Sequence, residues 1–265
     1  MLVGAGNMGG ALLKGWLERG LKPTDVFVQY PAPPPVIVEL LAKHGVWIGP
    51  RVPDLGRAAA VLLLAVKPQI MDAVVPTVSQ LAKLETVVLS VAAGRTIESI
   101  AKGFPAGTAI VRSIPNTPAS IGRGITVVVA NAHVSPAQKA LCTDLLAAVG
   151  EVGWVDDEGL IDAATAVSGS GPAYVFLLAE CLAEAAKAVG LPPELAVRLA
   201  RVTVSGAGEL LHQSDLDAGQ LRKNVTSPNG TTAAALAVLM ADDGMAEILT
   251  RAVRAARDRG RELAK

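Results

Sequence analysis

Six short apolar runs, separated by helical stretches, occupy the first 155 residues and constrain the fold more than any other feature. Several are nearly unbroken, as in VLLLAV (61–66) and TVVLSV (86–91). Strands that helices cover on both faces of a parallel sheet have this pattern. The chain is therefore predicted to be an α/β protein with a doubly wound parallel sheet. The predicted strands are residues 2–3, 26–29, 61–66, 86–91, 109–114 and 125–129.

From about residue 156 onward the strand pattern stops, and residues typical of helix starts and ends follow. Pro172 suits a first helical position, Gly190 suits a C-terminal cap, and Pro192 precedes another helix. We therefore predict two domains, residues 1–155 with the sheet and residues 156–265 entirely helical. The helical run at 231–240, TTAAALAVLM, has almost no polar face and needs an apolar partner. We expect a homodimer; the alternative is a monomer whose helical half packs on its own sheet.

The charge balance and the residue types that are scarce narrow the class of partner. The chain has 24 Lys and Arg against 24 Asp and Glu, so it has no overall field to attract nucleic acid or an anionic membrane. The apolar run at 58–66 is about half the roughly 20 residues that a membrane span requires. Two cysteines and three histidines lie at no metal-ligand spacing. We expect a small-molecule ligand, no metal, no nucleic acid or membrane partner and, since no secretory leader precedes the first strand, a cytoplasmic location.

A glycine-rich turn follows the first strand, with Gly4, Gly6 and Gly9 in the spacing G-x-G-x-x-G. Between a strand and a helix this spacing lets backbone N–H groups approach a pyrophosphate, although any tight strand-to-helix turn can share it. Only three residues precede Gly4, whereas a strand usually has about five. We expect the natural chain to begin upstream of Met1.

The ends of the next strands carry candidate cofactor contacts. The second strand ends at Tyr30 without the carboxylate that binds an NAD ribose, and no Lys or Arg follows before Lys43, which favours NADPH and leaves NADH possible. Lys67 follows the third strand, where it is either a phosphate or ribose ligand or a solvated surface lysine. The small residues at 92–94 and the rigid loop at 115–118 follow the fourth and fifth strands.

Two glycine-rich stretches, at 167–173 and 223–232, precede predicted helices. The backbone N–H groups of Gly230, Thr231 and Thr232 would begin a helix and form a site for a carboxylate. The alternative is an ordinary start in which Ser227 or Thr231 caps the helix. The sequence has no Ser-His-Asp set, no HExxH and no catalytic cysteine, so an enzyme of this sequence would take its chemistry from a cofactor.

Together these stretches resemble the pyrroline-5-carboxylate reductase family over essentially the whole chain. The matching motifs are GAGNMG (4–9), AVKPQ (65–69), AAG (92–94), PNTP (115–118), SGSGPAYVF (168–176) and SPNGTT (227–232). The last two are specific to the family, because generic dinucleotide-binding proteins lack them. The resemblance implies an N-terminal Rossmann domain, a helical C-terminal domain that interlocks with a partner subunit, and a dimer or a ring of dimers. It implies hydride transfer from NAD(P)H to 1-pyrroline-5-carboxylate, giving L-proline, the last step of proline biosynthesis.

The resemblance also implies roles for individual residues. The pyrophosphate is expected on Gly6, Asn7 and Met8 of the glycine turn, and the substrate carboxylate on Thr231 and Thr232. Thr232 is the expected catalytic residue, delivering or orienting the proton at the ring nitrogen. The full cofactor set is Gly4, Gly6, Asn7, Met8, Gly9, Tyr30, Lys67, Pro68, Ala92, Ala93, Asn116 and Asn224. The substrate set is Glu158, Ser227, Gly230, Thr231 and Thr232.

The sequence departs from the family pattern at two places. Asn229 stands where the loop usually has glycine, and we expect the loop to survive because asparagine tolerates left-handed geometry. The second departure is at Tyr30 and the prolines after it, where many members offer a serine or a basic residue to a 2′-phosphate. Two other readings stay open: a β-hydroxyacid-dehydrogenase relative, whose catalytic lysine would have to be the distant Lys187, and a non-catalytic NAD(P)-binding module.

Overall fold

A computed structural model describes residues 1–50 and 58–263. The strands in these ranges are β1 (Leu2–Val3), β2 (Phe27–Gln29), β3 (Trp47–Gly49), β4 (Val61–Leu64), β5 (Val87–Ser90), β6 (Ala109–Pro115), β7 (Gly124–Ala130) and β8 (Gly150–Trp154). The helices are α1 (Asn7–Glu18), α2 (Pro35–His44), α3 (Met71–Val78), α4 (Ile97–Ala101), α5 (Pro136–Leu146), α6 (Ile161–Ala164), α7 (Gly171–Ala188), α8 (Pro193–Gln213), α9 (Ala218–Asn224), α10 (Thr231–Leu239) and α11 (Met245–Leu263).

The described strands form one sheet in the order β3-β2-β1-β4-β5-β6-β7-β8. The first six follow the 3-2-1-4-5-6 order of a doubly wound dinucleotide-binding sheet, and they pair in parallel. The predicted α/β fold is therefore confirmed. The order reverses between β1 and β4, and in such sheets the crevice at this reversal receives the ligand.

One pair of strands departs from the parallel arrangement, because β7 runs antiparallel to β6. Only residues 116–123 separate the two strands. A parallel crossover requires about a dozen residues or more, so this connection can only turn back. The longer connection through α5 returns the chain in parallel from β7 to β8.

The core lies on both faces of the sheet, and β4 contributes to both. Leu63 packs with α1, α2 and α5 on one face, while Leu62 and Leu64 pack with α3 and α4 on the other. This alternation is the two-residue period of a strand with an apolar layer on each side. Each fully buried leucine stabilises the fold by about 2 kcal/mol.

By its internal contacts the chain forms two compact units. One contains residues 1–169 together with the chain from Arg257 onward, and the other contains Ser170–Ala256. In the second unit α7 and α8 pack against one another, and the buried residues are three alanines, Ala183, Ala196 and Ala200. The predicted functional boundary after residue 155 stays a prediction.

Candidate functional site

The glycine turn after β1 has the geometry that a dinucleotide phosphate requires. Gly4 has φ +85°, and a Cβ there would lie 2.9 Å from the carbonyl oxygen of Ala65. A Cβ at Gly9 would collide with the carbonyl oxygen of Gly4, so α1 approaches β1 only through glycine. A Cβ at Gly6 would meet no described protein atom within 4 Å. Internal packing therefore explains Gly4 and Gly9, whereas no packing contact requires glycine at position 6, which leaves space for a ligand.

The first turn of α1 completes this anion site. Gly6 is the N-cap, no side chain accepts a hydrogen bond from the turn, and no acidic residue lies in it. The N–H of Gly10 already donates to the carbonyl of Gly6 at 2.7 Å, so the open donors are those of the residues just before it. Open N–H groups and the positive end of the helix dipole favour a phosphate here. The residues present therefore fit the pyrophosphate of a dinucleotide.

The neighbouring strand ends bring further predicted cofactor residues to the same edge of the sheet. Lys67, with Pro68 next to it, follows β4 and is exposed. After β5, Ala92 is buried and Ala93 is exposed. Asn116, after β6, uses its Oδ1 to accept a hydrogen bond from the N–H of Ile125 at 2.9 Å. The sheet thus gathers these residues along the carboxyl ends of β4, β5 and β6, beside the glycine turn.

Tyr30 follows β2 on the other side of the glycine turn. Its N–H donates to the carbonyl of Gly49 at 3.2 Å, and its side chain is half-buried against the larger core cluster. The carbonyl of the preceding Gln29 accepts the N–H of Gly4 at 2.9 Å. The end of β2 is therefore fixed directly to the glycine turn.

The second group of predicted site residues belongs to the helical unit and surrounds the start of α10. The N–H of Gly230 donates to the carbonyl of Ser227 at 3.1 Å, which closes the turn before the helix. Gly230 is the N-cap, and no side chain caps the helix. Of the two sequence readings, the structure therefore favours the open helix start over one capped by Ser227 or Thr231.

Asn229 takes the conformation that the sequence required of it. Its φ is 58°, and it is the one non-glycine residue with positive φ in the described ranges. Asparagine therefore adopts the left-handed conformation here, and survival of the loop's role stays a prediction. Asn224 lies at the end of α9, where its Oδ1 accepts a hydrogen bond from Gln220 Nε2 at 2.8 Å.

Glu158 has protein partners that the sequence did not reveal. Its Oε1 accepts hydrogen bonds from Arg112 Nη1 at 2.7 Å and from the N–H of Ile97 at 2.8 Å. Arg112 is 3% exposed on β6. Sequence reasoning missed this arginine, and the available signal was a charge inside the otherwise apolar strand AIVRSI.

In the part of the chain that the structure describes, there is no candidate metal site and one candidate membrane span. No cluster of three or more His, Cys, Asp or Glu side chains there could hold a metal ion. One described stretch, Glu158–Ala188, is long and apolar enough by composition to cross a membrane, and 11% of its most apolar window is buried.

Comparison with known proteins identifies the family. The family model for pyrroline-5-carboxylate reductase dimerisation matches residues 158–263, and a model for coenzyme F420-dependent NADP oxidoreductases matches residues 1–94. A pyrroline-5-carboxylate reductase of Synechocystis is 40% identical over 100% of this chain and 97% of its own length. This chain belongs to the pyrroline-5-carboxylate reductase family.

Solved structures of family members agree over the full length. The pyrroline-5-carboxylate reductase of Coxiella burnetii superposes with a TM-score of 0.92 at 36% identity, covering 100% of this chain and 97% of that one. The Plasmodium falciparum pyrroline carboxylate reductase, solved with NADP bound, gives a TM-score of 0.79 at 28% identity with the same coverage. The sequence-based assignment to this family is confirmed.

Proposed function

We propose that the chain reduces 1-pyrroline-5-carboxylate to L-proline, the last step of proline biosynthesis, with NADPH as the reductant. The observation that carries the proposal is a pair of helix starts, at α1 and α10, whose N-cap is glycine and which therefore lack a side-chain cap, in a full-length member of the family. The reaction requires one site for a pyrophosphate and one for a carboxylate, and an uncapped helix start suits either anion.

On this proposal the first unit binds the cofactor, which supplies the hydride. The pyrophosphate binds the N–H groups of Gly6, Asn7 and Met8, while Gly4 and Gly9 shape the turn. Lys67 and Pro68 bind the ribose region, and Ala93, with Ala92 behind it, lies against the nicotinamide. Tyr30 and Asn116 complete the contacts of this unit with the cofactor, and Asn224 of the helical unit is a further proposed cofactor ligand.

The helical unit binds the substrate. Its carboxylate accepts hydrogen bonds from backbone N–H groups of Gly230, Thr231 and Thr232, with Ser227 closing the turn beside them. The hydroxyl of Thr232 orients or delivers the proton at the ring nitrogen. A protonated imine is readily reduced, so no stronger acid is required of the protein. Residues 156–265 thereby act as the substrate and dimerisation domain, and residues 1–155 as the cofactor domain.

NADPH is proposed ahead of NADH because the strand end at Tyr30 has no carboxylate to repel a 2′-phosphate. The same strand end offers no arginine to bind that phosphate, so NADH remains a usable alternative. A discrimination of less than about 100-fold, or 2.8 kcal/mol, fits a site that lacks both groups.

We further propose a cytoplasmic homodimer that assembles into a ring of dimers. The helical unit exposes many large apolar side chains, which a partner subunit would cover. They include Phe176, Leu177, Val202, Val238 and Met240.

A partner subunit suits the apolar surface of α7 better than lipid does. The start of the Glu158–Ala188 stretch belongs to the first unit. Glu158 forms an ion pair with Arg112, and Ile161 is fully buried there. Its remainder carries Glu180, Glu184 and Lys187. Because of these charges and the buried start, the stretch lacks the uninterrupted apolar length of about 20 residues that a membrane span requires.

The variant Thr232→Ala tests the proposed chemistry. Turnover of 1-pyrroline-5-carboxylate should fall at least about tenfold, in the range for a lost proton-transfer group, while the Kd for NADPH stays unchanged. The matched control is Thr250→Ala on α11, whose hydroxyl bonds only its own helix. Unchanged turnover in Thr232→Ala would refute the role of Thr232. A wild-type protein that binds NADPH without turnover would favour the binding module.

A further inference from the structure

The loop between β5 and α4, residues 91–96, is held at both ends by polar side chains, which are buried at the first end and half-buried at the second. At its start, the N–H of Ala92 donates to Ser90 Oγ at 3.2 Å. Ser113 Oγ on β6 donates to the carbonyl of Ser90 at 2.8 Å, and both serines are fully buried. This end of the loop is therefore fixed to two neighbouring strands.

The other end of the loop is held by Glu158. Its Oε1 accepts the N–H of Ile97, the first residue of α4. Thr96 caps the same helix by accepting the N–H of Ser99 at 3.1 Å, so Glu158 satisfies a donor that the cap leaves open. A carboxylate at a helix start also interacts favourably with the helix dipole.

Arg112 fixes the position of Glu158. Its guanidinium is 3% exposed and donates from Nη1 to the same Oε1 at 2.7 Å. A buried cation without a counter-charge is strongly destabilising, so Arg112 requires this carboxylate. Among the described residues Glu158 is the only carboxylate that pairs with Arg112, and the buried Nε of Arg112 has no hydrogen-bond partner there.

We propose that Glu158 is a positioning residue that fixes the 91–96 loop against the reacting ring of the cofactor, and that Arg112 holds Glu158 in place. The proposal rests on the proposed function, in which Ala93 of this loop lies against the nicotinamide. Ala93 is exposed between the two fixed ends, and Gly94 beside it has φ +73°. With Glu158 removed, the loop keeps its Ser90 end and loses its α4 end.

The assignment differs from the sequence-based hypothesis that Glu158 binds substrate, and steady-state kinetics separate the two. In Glu158→Ala, kcat should fall about 10- to 100-fold, because a displacement of about 1 Å at a hydride donor costs that much. The KM for 1-pyrroline-5-carboxylate should change less than about threefold, as for any group outside the substrate's contacts. The deuterium isotope effect with NADPH labelled at the transferred position should rise as hydride transfer becomes slower than product release.

Glu158→Gln provides a milder variant that keeps the shape and an acceptor oxygen. Its kcat should lie between wild type and Glu158→Ala. The matched control is Glu98→Ala, which removes an exposed carboxylate on α4 that pairs only with Lys102 at 3.4 Å. This control should retain wild-type kinetics.

Hydrogen exchange at the amide of Ile97 tests the proposal independently of turnover. Loss of its acceptor should speed exchange of the Ile97 amide at least about tenfold in Glu158→Ala and leave the amides of β5 protected. Unchanged exchange at Ile97 would overturn the proposal, whether or not the wild-type protein reduces the substrate. A rise in the substrate KM with kcat preserved would also overturn it, and would return Glu158 to the substrate site.

Discussion

At the scale of single residues, backbone geometry explains why a departure from the family pattern is tolerated at position 229. Asn229 has φ 58°, a region that costs a residue with an ordinary Cβ about 1–2 kcal/mol and costs asparagine less. The loop before α10 therefore keeps its shape with asparagine. Sequence reasoning predicted this because the requirement is local, a single φ angle in a tight turn.

Substitution at Asn229 tests this explanation. Asn229→Gly should retain both the stability of the protein and its KM for 1-pyrroline-5-carboxylate. Asn229→Ala should lower the free energy of unfolding by about 1 kcal/mol and raise that KM, because the left-handed residue sets the direction of the N–H groups after it. Urea unfolding and steady-state kinetics measure both quantities. Equal behaviour of the two variants would contradict the explanation.

Cys142, which is buried on α5, should contribute to the pH dependence of the protein's stability. Burial raises the pKa of its thiol from 9.0 to about 12. Between these values the folded state keeps a proton that the unfolded state has lost, so the stability contributed by the buried thiol falls as pH rises. The serine hydroxyl in Cys142→Ser does not ionise in this pH range. The stability difference between wild type and Cys142→Ser should therefore shrink between pH 8 and pH 10.5, and a constant difference would contradict this assignment.

At the scale of elements, substitutions in the strand-to-helix turn at residues 4–9 distinguish a glycine needed for packing from one proposed to bind the cofactor. Gly6→Ala should change the free energy of unfolding by less than about 0.5 kcal/mol, since its φ of −70° suits alanine and no described protein atom lies near. The Kd for NADPH should nonetheless rise at least about tenfold, or 1.4 kcal/mol.

Gly9→Ala, in the same turn, should lower stability as well as cofactor affinity. Its Cβ would collide with the carbonyl oxygen of Gly4, so the protein should lose about 1–3 kcal/mol of stability as well as cofactor affinity. Thermal unfolding together with quenching of NADPH fluorescence distinguishes the two variants. Equal destabilisation by both would show that Gly6 is a packing residue.

Elements with strong periodic or unbroken apolar patterns were predictable, and edge elements were not. The central strands β4 and β5 are buried on both faces and appear in the sequence as continuous apolar runs. The edge strands β3 and β8 were missed because they are half-buried and contain glycine, as in GEVGW. The antiparallel direction of β7 follows from the short connection after β6, a signal in the sequence that sequence reasoning did not use. The charge of Arg112 marked one member of the ion pair, but nothing local identified Glu158, 46 positions away, as its partner.

At the scale of the whole molecule, the helical unit leaves many apolar side chains exposed, which we propose a partner subunit covers. Phe176→Glu on α7 places a charge on a side chain that is 64% exposed in the single chain and that we expect the partner to cover. Sedimentation should show the wild type at twice 27.1 kDa or a multiple of it, and the variant as smaller species. The control, Leu84→Glu, alters a residue that is 97% exposed in the first unit and should leave the assembly intact.

The most direct test of the account follows NADPH absorbance when the purified protein is mixed with 1-pyrroline-5-carboxylate, with L-proline measured as product and NADH run in parallel. The account predicts substrate-dependent oxidation with one L-proline formed for each NADPH consumed, and a slower reaction with NADH. A folded protein that binds NADPH but forms no L-proline with either cofactor would contradict it.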